Sequence, residues 1–152
     1  MSGITAEMKA MLDTQLPILA TVTDPTTPNI GPKRSLRVYD DHTLIYNENT
    51  GGQHLTNIEN GSRVAVAVID RAALDGYRFL GHAEVLTDGP AWDNCLDFAA
   101  HNGMKEPKRA VLIHLDVIYS LASGAKAGTV VDDSAAATDG ETSDDATDGG
   151  RA

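Results

Sequence analysis

The 152-residue sequence contains a single cysteine, and its basic residues are scarce, with 12 Lys and Arg against 22 Asp and Glu. One cysteine excludes an internal disulfide and a cysteine-based zinc cluster. The net charge of −10 argues against nucleic acid and an anionic membrane surface as partners, because both need a basic face. No apolar run approaches the roughly 20 residues that span a bilayer, and the N-terminus lacks the features of a secretory signal. The sequence therefore predicts a cytoplasmic protein.

Familiar catalytic motifs are also missing from the sequence. It has no Walker loop, no dinucleotide-binding glycine fingerprint, no HExxH pair and no G-x-S-x-G elbow. Cys95 falls on the apolar stripe of a predicted helix, where a thiol is more often core than nucleophile. His82 and His114 lie inside predicted strands, and we interpret them as structural. We therefore predict no metal ligand, and the catalytic residues stay unassigned.

The C-terminal segment, residues 132–152, differs in composition from the rest of the chain. It holds seven acidic residues and one Arg, and it has no aromatic residue and no Val, Leu, Ile or Met. Such a segment cannot offset the entropy lost on folding. We therefore predict one folded domain over residues 1–131, followed by an acidic disordered tail with a solubilising role.

Six β-rich apolar segments and three short helical patterns make up the predicted domain. We predict strands over residues 18–22, 30–39, 43–46, 63–70, 77–87 and 110–121, and helices that begin after Thr5, Gly52 and Gly89. Gly81 interrupts the fifth strand, as at a bulge. Helices do not alternate regularly with strands, which disfavours a doubly wound sheet. The predicted fold is mainly β (α+β), a six-stranded antiparallel β-barrel with peripheral helices.

Two short polar motifs are candidates for binding. The segment Pro32-Lys33-Arg34-Ser35 places two cations and a hydroxyl on the predicted second strand, a combination that suits a phosphate ester. The segment Asn49-Thr50-Gly51-Gly52-Gln53-His54 leads glycines into a helix start, where free N–H groups can face an anion. Each motif alone is more often a solvated barrel exterior or a tight turn. A hairpin would bring the two side by side, and together they predict a phosphomonoester site.

The order of these elements resembles the FMN-binding split-barrel proteins of the pyridoxamine 5′-phosphate oxidase-like family. The resemblance covers residues 4–130, and its most similar parts are the segments NIENGSRVAVAV and YSLASGAKAG. It implies a six-stranded split barrel that forms a homodimer, with FMN bound at the subunit interface. It also implies that eight residues of the two motifs hold this cofactor: Lys33, Arg34, Ser35, Leu36, Asn49, Thr50, Gln53 and His54.

One departure from the family pattern concerns the phosphate. Many relatives have Lys at the helix-start position that is Gln53 here. We therefore expect Lys33 and Arg34 to supply the positive charge that holds the FMN phosphate.

The resemblance implies an oxidoreductase in which hydride or electrons pass from NADH or NADPH through FMN to flavin or a small acceptor. The flavin would carry the reaction, which explains why no protein nucleophile or base stands out. A second possibility is a non-catalytic FMN module that passes electrons to a protein partner. A third is a deazaflavin or haem ligand on the same barrel. Oxidation of pyridoxamine phosphate itself is not expected, because the chain ends soon after the predicted barrel.

Overall fold

The computed structural model of the protein describes residues 2–134. Within that range it has three helices and eight strands: α1 (Ala6–Thr14), β1 (Ile18–Asp24), β2 (Thr27–Pro32), β3 (Arg37–Asp40), β4 (Thr43–Glu48), α2 (Gln53–Glu59), β5 (Val64–Asp70), β6 (Asp75–Leu86), α3 (Gly89–His101), β7 (Arg109–Ser120) and β8 (Val130–Asp133). The three predicted helices are confirmed. Thr5 caps α1, since its hydroxyl accepts a hydrogen bond from Met8 N–H at 3.2 Å. No helix within residues 2–134 is long and apolar enough to cross a membrane.

The strands form one antiparallel sheet in the order β2-β1-β5-β6-β7-β4-β3, and β8 pairs with β7. Strands β2 and β3 stand at the two ends of this ladder, and the described residues show no pairing between them. The mainly β split-barrel class is thus confirmed, with eight strands instead of six. The number differs because the strand predicted over residues 30–39 is divided into β2 and β3, and because β8 is an additional strand.

Strand β8 crosses the predicted boundary between domain and tail. Val117 pairs with Asp133 and Ile118 with Asp132, so two residues assigned to the tail belong to the sheet. Residue 134 is also described, and the remaining positions of the predicted disordered tail, residues 135–152, lie outside the described residues.

Two hydrophobic clusters lie on either side of β4. The main core fills the barrel and includes Leu44, Tyr46 and Phe79, each 0% exposed. A smaller cluster joins Ile45 of β4 to Cys95 of α3. All six residues of β4 are buried because both faces of this strand are covered. The last of them, Glu48, is a charged residue with 0% exposure.

Gly81 permits the strand irregularity that the sequence predicts. The pairing of β6 with β7 shifts register between Leu80 and Gly81. A Cβ atom added at Gly81 would overlap the His114 carbonyl oxygen, far inside van der Waals contact. Only glycine fits at this close approach of two backbones.

Candidate functional site

The two cations of the first motif lie on a tight turn between β2 and β3. The turn over residues 33–36 is closed by a hydrogen bond from Leu36 N–H to the Lys33 carbonyl at 3.1 Å. Lys33 N–H donates to the Pro17 carbonyl at 3.0 Å, which anchors the turn beside the start of β1. The continuous strand predicted over residues 30–39 is therefore wrong. Pro32 has no N–H to donate, and this weakens further pairing at that edge of the sheet.

Lys33 and Arg34 are neighbours in the chain but have opposite surroundings. The Lys33 ammonium lies 3.2 Å from Glu48 Oε1 and 5.0 Å from the centre of the Tyr46 ring. Arg34 is exposed, and its side chain makes no hydrogen bond or ion pair with any residue that the structure describes. Of the two cations, Arg34 therefore has the uncommitted charge.

Ser35 and Leu36 hold the turn in place. Ser35 Oγ accepts a hydrogen bond from Asn47 N–H at 2.9 Å and donates to the Asn47 carbonyl at 3.4 Å. Leu36 is 1% exposed and packs in the main core. These contacts fix the turn against β4, so the Arg34 side chain projects from a rigid base.

Asn49 and Thr50 follow the end of β4. Thr50 donates to Glu48 Oε2 from its N–H at 3.1 Å and from its hydroxyl at 3.0 Å. The Asn49 side-chain oxygen is buried and has no hydrogen-bond partner among the described residues. A buried acceptor without a partner is costly in a folded protein, and a ligand N–H or O–H group would satisfy it.

Gln53 and His54 begin α2 and belong to a separate polar network. Gln53 Nε2 donates to Asn57 Oδ1 at 2.7 Å, and Asn57 Nδ2 donates to Thr21 Oγ1 at 3.0 Å. His54 Nδ1 lies 2.8 Å from the same Thr21 hydroxyl. Burial and, next, the charge of Lys33 lower the pKa of His54. The imidazole is therefore neutral at pH 7 and brings no positive charge to the site.

Five of the eight predicted residues line one groove, which we call the turn groove. Its volume is ≈ 250 Å³, and its lining consists of Pro32, Lys33, Arg34, Ser35, Asn47, Asn49, Thr50 and Met104. An adjoining concavity of ≈ 510 Å³ shares Arg34, Asn49 and Met104 and adds Gly103, Lys105, Glu106 and Lys108. The structure therefore brings together Lys33, Arg34, Ser35, Asn49 and Thr50. Leu36, Gln53 and His54 lie outside the lining of the turn groove.

Glu48 is a central residue of this region that the sequence analysis missed. Its side chain is fully buried, and its carboxylate accepts hydrogen bonds from Lys33, from both donors of Thr50 and from Gly51 N–H at 3.0 Å. Burial raises the pKa of Glu48, but the Lys33 charge and the hydrogen bonds outweigh burial and hold it below its ordinary value. Glu48 is therefore ionised at neutral pH, and its charge opposes that of Lys33.

The loop after α3 adds cations that the sequence analysis also missed. Lys108 N–H donates to the Glu48 carbonyl at 2.8 Å, and Lys108 Nζ donates to the Thr50 carbonyl at 3.2 Å. Lys105 lines the same concavity as Lys108. In the sequence, Lys105 and Lys108 stand out only as part of the run MKEPKR. This run is far along the chain from the other two motifs, so no local pattern indicates that it lies beside them. With Arg34, these lysines outnumber Glu106, the one carboxylate among the described residues that line the concavity, so this part of the site carries net positive charge.

Comparisons with known proteins place the chain in a family. A family model described as pyridoxamine 5′-phosphate oxidase matches residues 4–121. The chain belongs to this family. Its structure is also similar to that of HupZ from Group A Streptococcus, with 47% sequence identity and a TM-score of 0.75, over 82% of this chain and 99% of that protein. The protein MJ0282 of Methanocaldococcus jannaschii is 28% identical over 132 residues, which are 84% of this chain and 87% of that protein.

Proteins of lower sequence identity share the fold. An FMN-binding protein from Syntrophomonas wolfei has 15% identity and a TM-score of 0.64, over 75% of this chain and 83% of that protein. At this identity the similarity shows the split-barrel fold alone.

Proposed function

We propose that this member of the pyridoxamine 5′-phosphate oxidase family binds FMN in the turn groove and transfers hydride or electrons from NADH or NADPH to flavin or a small acceptor. The observation that carries the proposal is the convergence of five predicted cofactor residues on one groove, with the uncommitted guanidinium of Arg34 at its wall. A fold shared with an FMN-binding protein agrees with this proposal.

The polar groups of the groove fit the parts of FMN that are not the flavin ring. Arg34, Lys105 and Lys108 surround the ≈ 510 Å³ concavity and would hold a phosphate by charge-assisted hydrogen bonds. The unpaired Asn49 oxygen would accept a hydrogen bond from a ribityl hydroxyl. The FMN phosphate would therefore be bound by Arg34 and the two lysines, and not by Lys33, because Glu48 already balances the charge of Lys33.

Bound FMN would supply reversible hydride and electron transfer. The role of the chain is then to bind and orient. Ser35 fixes the turn through its hydrogen bonds to Asn47. Arg37 Cζ lies 3.7 Å from the centre of the Phe98 ring, and Arg37 Nη2 donates to Asn94 Oδ1 at 2.6 Å. These two contacts hold the start of β3 against α3. This arrangement requires no nucleophile or general base from the protein, in agreement with the absence of the usual catalytic motifs from the sequence.

The outer face of the β1–β2–β5 sheet supports the proposal of a homodimer. Ala20 pairs with Ile30 on one side and with Ala65 on the other, so these three apolar side chains lie together on that face. Ile30 is 72% exposed and Val22 is 45% exposed. A contiguous apolar surface of this kind is typical of a protein interface. The turn groove begins at Pro32, two residues beyond Ile30, so a second copy on this face would lie beside the groove.

Flavin binding is tested first by the visible spectrum of the purified protein and by titration with FMN. Truncation of Arg34 removes a charge-assisted hydrogen bond, so Arg34→Ala should weaken FMN binding about tenfold or more. Arg71→Ala is the matched control, because Arg71 is an exposed arginine on the turn after β5, outside the groove. Equal FMN affinities of the two variants would contradict the proposed site.

Turnover is tested by NADH and NADPH oxidation with the FMN-loaded protein. Steady oxidation supports an oxidoreductase. Tight FMN retention without turnover would instead identify a flavin module that passes electrons to a protein partner.

A further inference from the structure

The loop that follows β4 holds an anion that belongs to the protein itself. Four donors surround the Glu48 carboxylate: the Lys33 ammonium at 3.2 Å, Thr50 N–H at 3.1 Å, the Thr50 hydroxyl at 3.0 Å and Gly51 N–H at 3.0 Å. We call these four groups the Glu48 cradle. Lys33 and Thr50 also line the turn groove, so the cradle forms part of its wall.

The donors of the cradle are those that would suit a phosphate oxygen. Two backbone N–H groups, a hydroxyl and an ammonium converge on one point, as they do where proteins bind phosphomonoesters. In this chain the carboxylate of Glu48 receives all four. The Glu48 side chain is 0% exposed, so its carboxylate is held by these protein donors and is shielded from solvent.

A phosphomonoester cannot share this position with Glu48. It carries between one and two negative charges at neutral pH, and Glu48 is ionised because Lys33 and the hydrogen bonds overcome the effect of burial on its pKa. Two like charges in a site with little water repel strongly. The phosphate of a ligand in the turn groove must therefore lie toward Arg34, Lys105 and Lys108.

We propose that Glu48 is a specificity-determining residue, whose buried carboxylate occupies the cradle and keeps phosphomonoesters out of it. Truncation of this side chain creates an anion site from Lys33, Thr50 and Gly51. For phosphate alone the inference depends only on the contacts of Glu48; for flavins it rests on the proposed function.

The first experiment uses inorganic phosphate, with sodium chloride at matched ionic strength, and measures thermal unfolding of the full chain. The Glu48→Ala variant should be stabilised progressively by millimolar phosphate, and by more than the unmodified protein, in which only Arg34, Lys105 and Lys108 are available to the anion. Glu59→Ala is the control for loss of one acidic side chain, because Glu59 is exposed on α2. Equal phosphate responses of Glu48→Ala and the unmodified protein would overturn the proposal.

Two further variants separate the cradle from a general loss of charge. In Glu48→Ala with Lys33→Met, the phosphate response should fall to that of the unmodified protein, because the cation of the cradle is gone. Glu48→Gln keeps a side chain of the same size in the cradle, so it should gain much less stability from phosphate than Glu48→Ala does. Glu48→Ala leaves space for an anion, so phosphate or formate should restore its stability or its yield on refolding. A Glu48→Ala chain that stays unfolded at all concentrations of either anion would contradict the proposal.

The flavin experiment compares FMN with riboflavin, which lacks the phosphate. For Glu48→Ala, the ratio of FMN to riboflavin affinity should rise about tenfold over that of the unmodified protein, the effect of one additional charge-assisted contact. An unchanged ratio counts against Glu48 as the selecting residue. If no variant binds either flavin, the proposed function fails, and the phosphate measurements still decide the role of Glu48.

Discussion

Replacement of Lys33 by Met tests the buried ion pair directly. Glu48 is fully buried, the Lys33 side chain is 13% exposed, and their charged atoms lie 3.2 Å apart. Removal of one partner of a fully buried pair costs about 3–5 kcal/mol, because the other charge is left uncompensated. Here three hydrogen bonds from Thr50 and Gly51 remain, and water reaches part of Lys33. We therefore expect Lys33→Met to lower the free energy of unfolding at neutral pH by about 2–3 kcal/mol.

The pH dependence of this loss identifies its cause. In the unmodified protein the pKa of Glu48 is below its ordinary value, so its stabilising contribution is complete at neutral pH and is lost as pH falls through the folded-state pKa. Without Lys33, we expect burial, the largest single influence on this group, to raise the pKa of Glu48 above its unfolded value of about 4.3. The folded variant then takes up a proton more readily than the unfolded chain. Its stability therefore rises as the pH is lowered from neutrality, and the difference from the unmodified protein shrinks.

The assay is urea unfolding, followed by circular dichroism, at neutral pH and at about pH 5. The control is Lys9→Met, which removes an ion pair of similar length, 2.8 Å, between side chains that are 57% and 46% exposed. Exposed pairs of this kind contribute less than about 1 kcal/mol. Equal losses in the two variants, or a Lys33→Met deficit that does not change with pH, would refute the argument from burial.

Three further substitutions test the fold and the proposed interface. Gly81→Ala should lower the free energy of unfolding, measured with urea, by about 1–3 kcal/mol or more, because its Cβ would overlap the His114 carbonyl. The control is Gly31→Ala, which should change it by less than about 0.5 kcal/mol, because a Cβ there would make only an ordinary contact with His54 Nε2 at 3.6 Å. Ile30→Asp should shift the protein from dimer to monomer in analytical ultracentrifugation, and an unchanged sedimentation coefficient would exclude this face as the interface. Tyr46→Phe should leave the free energy of unfolding unchanged or raise it by up to about 1 kcal/mol. The reason is that the buried Tyr46 hydroxyl has no hydrogen-bond partner among the described residues. A lower free energy of unfolding would mean that this hydroxyl is hydrogen-bonded in solution.

Much of the fold could be predicted from the sequence because its signals are local. The Thr5 cap, the apolar run of β5 and the glycine at the β6 bulge each depend on a few adjacent residues, and all three are present in the structure. The strand count required more distant information. Pro32 ends β2 at a point where the alternation of side chains continues, and β8 ends in two aspartates whose pairing with β7 no local pattern indicates.

The candidate site could be predicted only in part, for the same reason. The residue types of the two motifs indicate an anion site, and five of the eight residues line one groove. The sequence could not show that Glu48 lies inside, because a carboxylate at the end of a strand is ordinarily solvated. Its ion-pair partner is 15 residues away in the chain, and Lys108, which packs on the same loop, comes from a different part of the barrel.

The contrast between Lys33 and Arg34 shows what this missing information means for function. The sequence presents two adjacent cations, and their charges add if both face a ligand. In the structure the first cation is balanced by Glu48 and the second is uncommitted, so the charge available at the turn is half of what the motif indicates. Lys105 and Lys108 line the adjoining concavity with Arg34, and Glu106 offsets one of these three cations. The attraction for an anionic ligand is therefore centred on Arg34 and this concavity, and removal of the Glu48 carboxylate alone would extend it to Lys33.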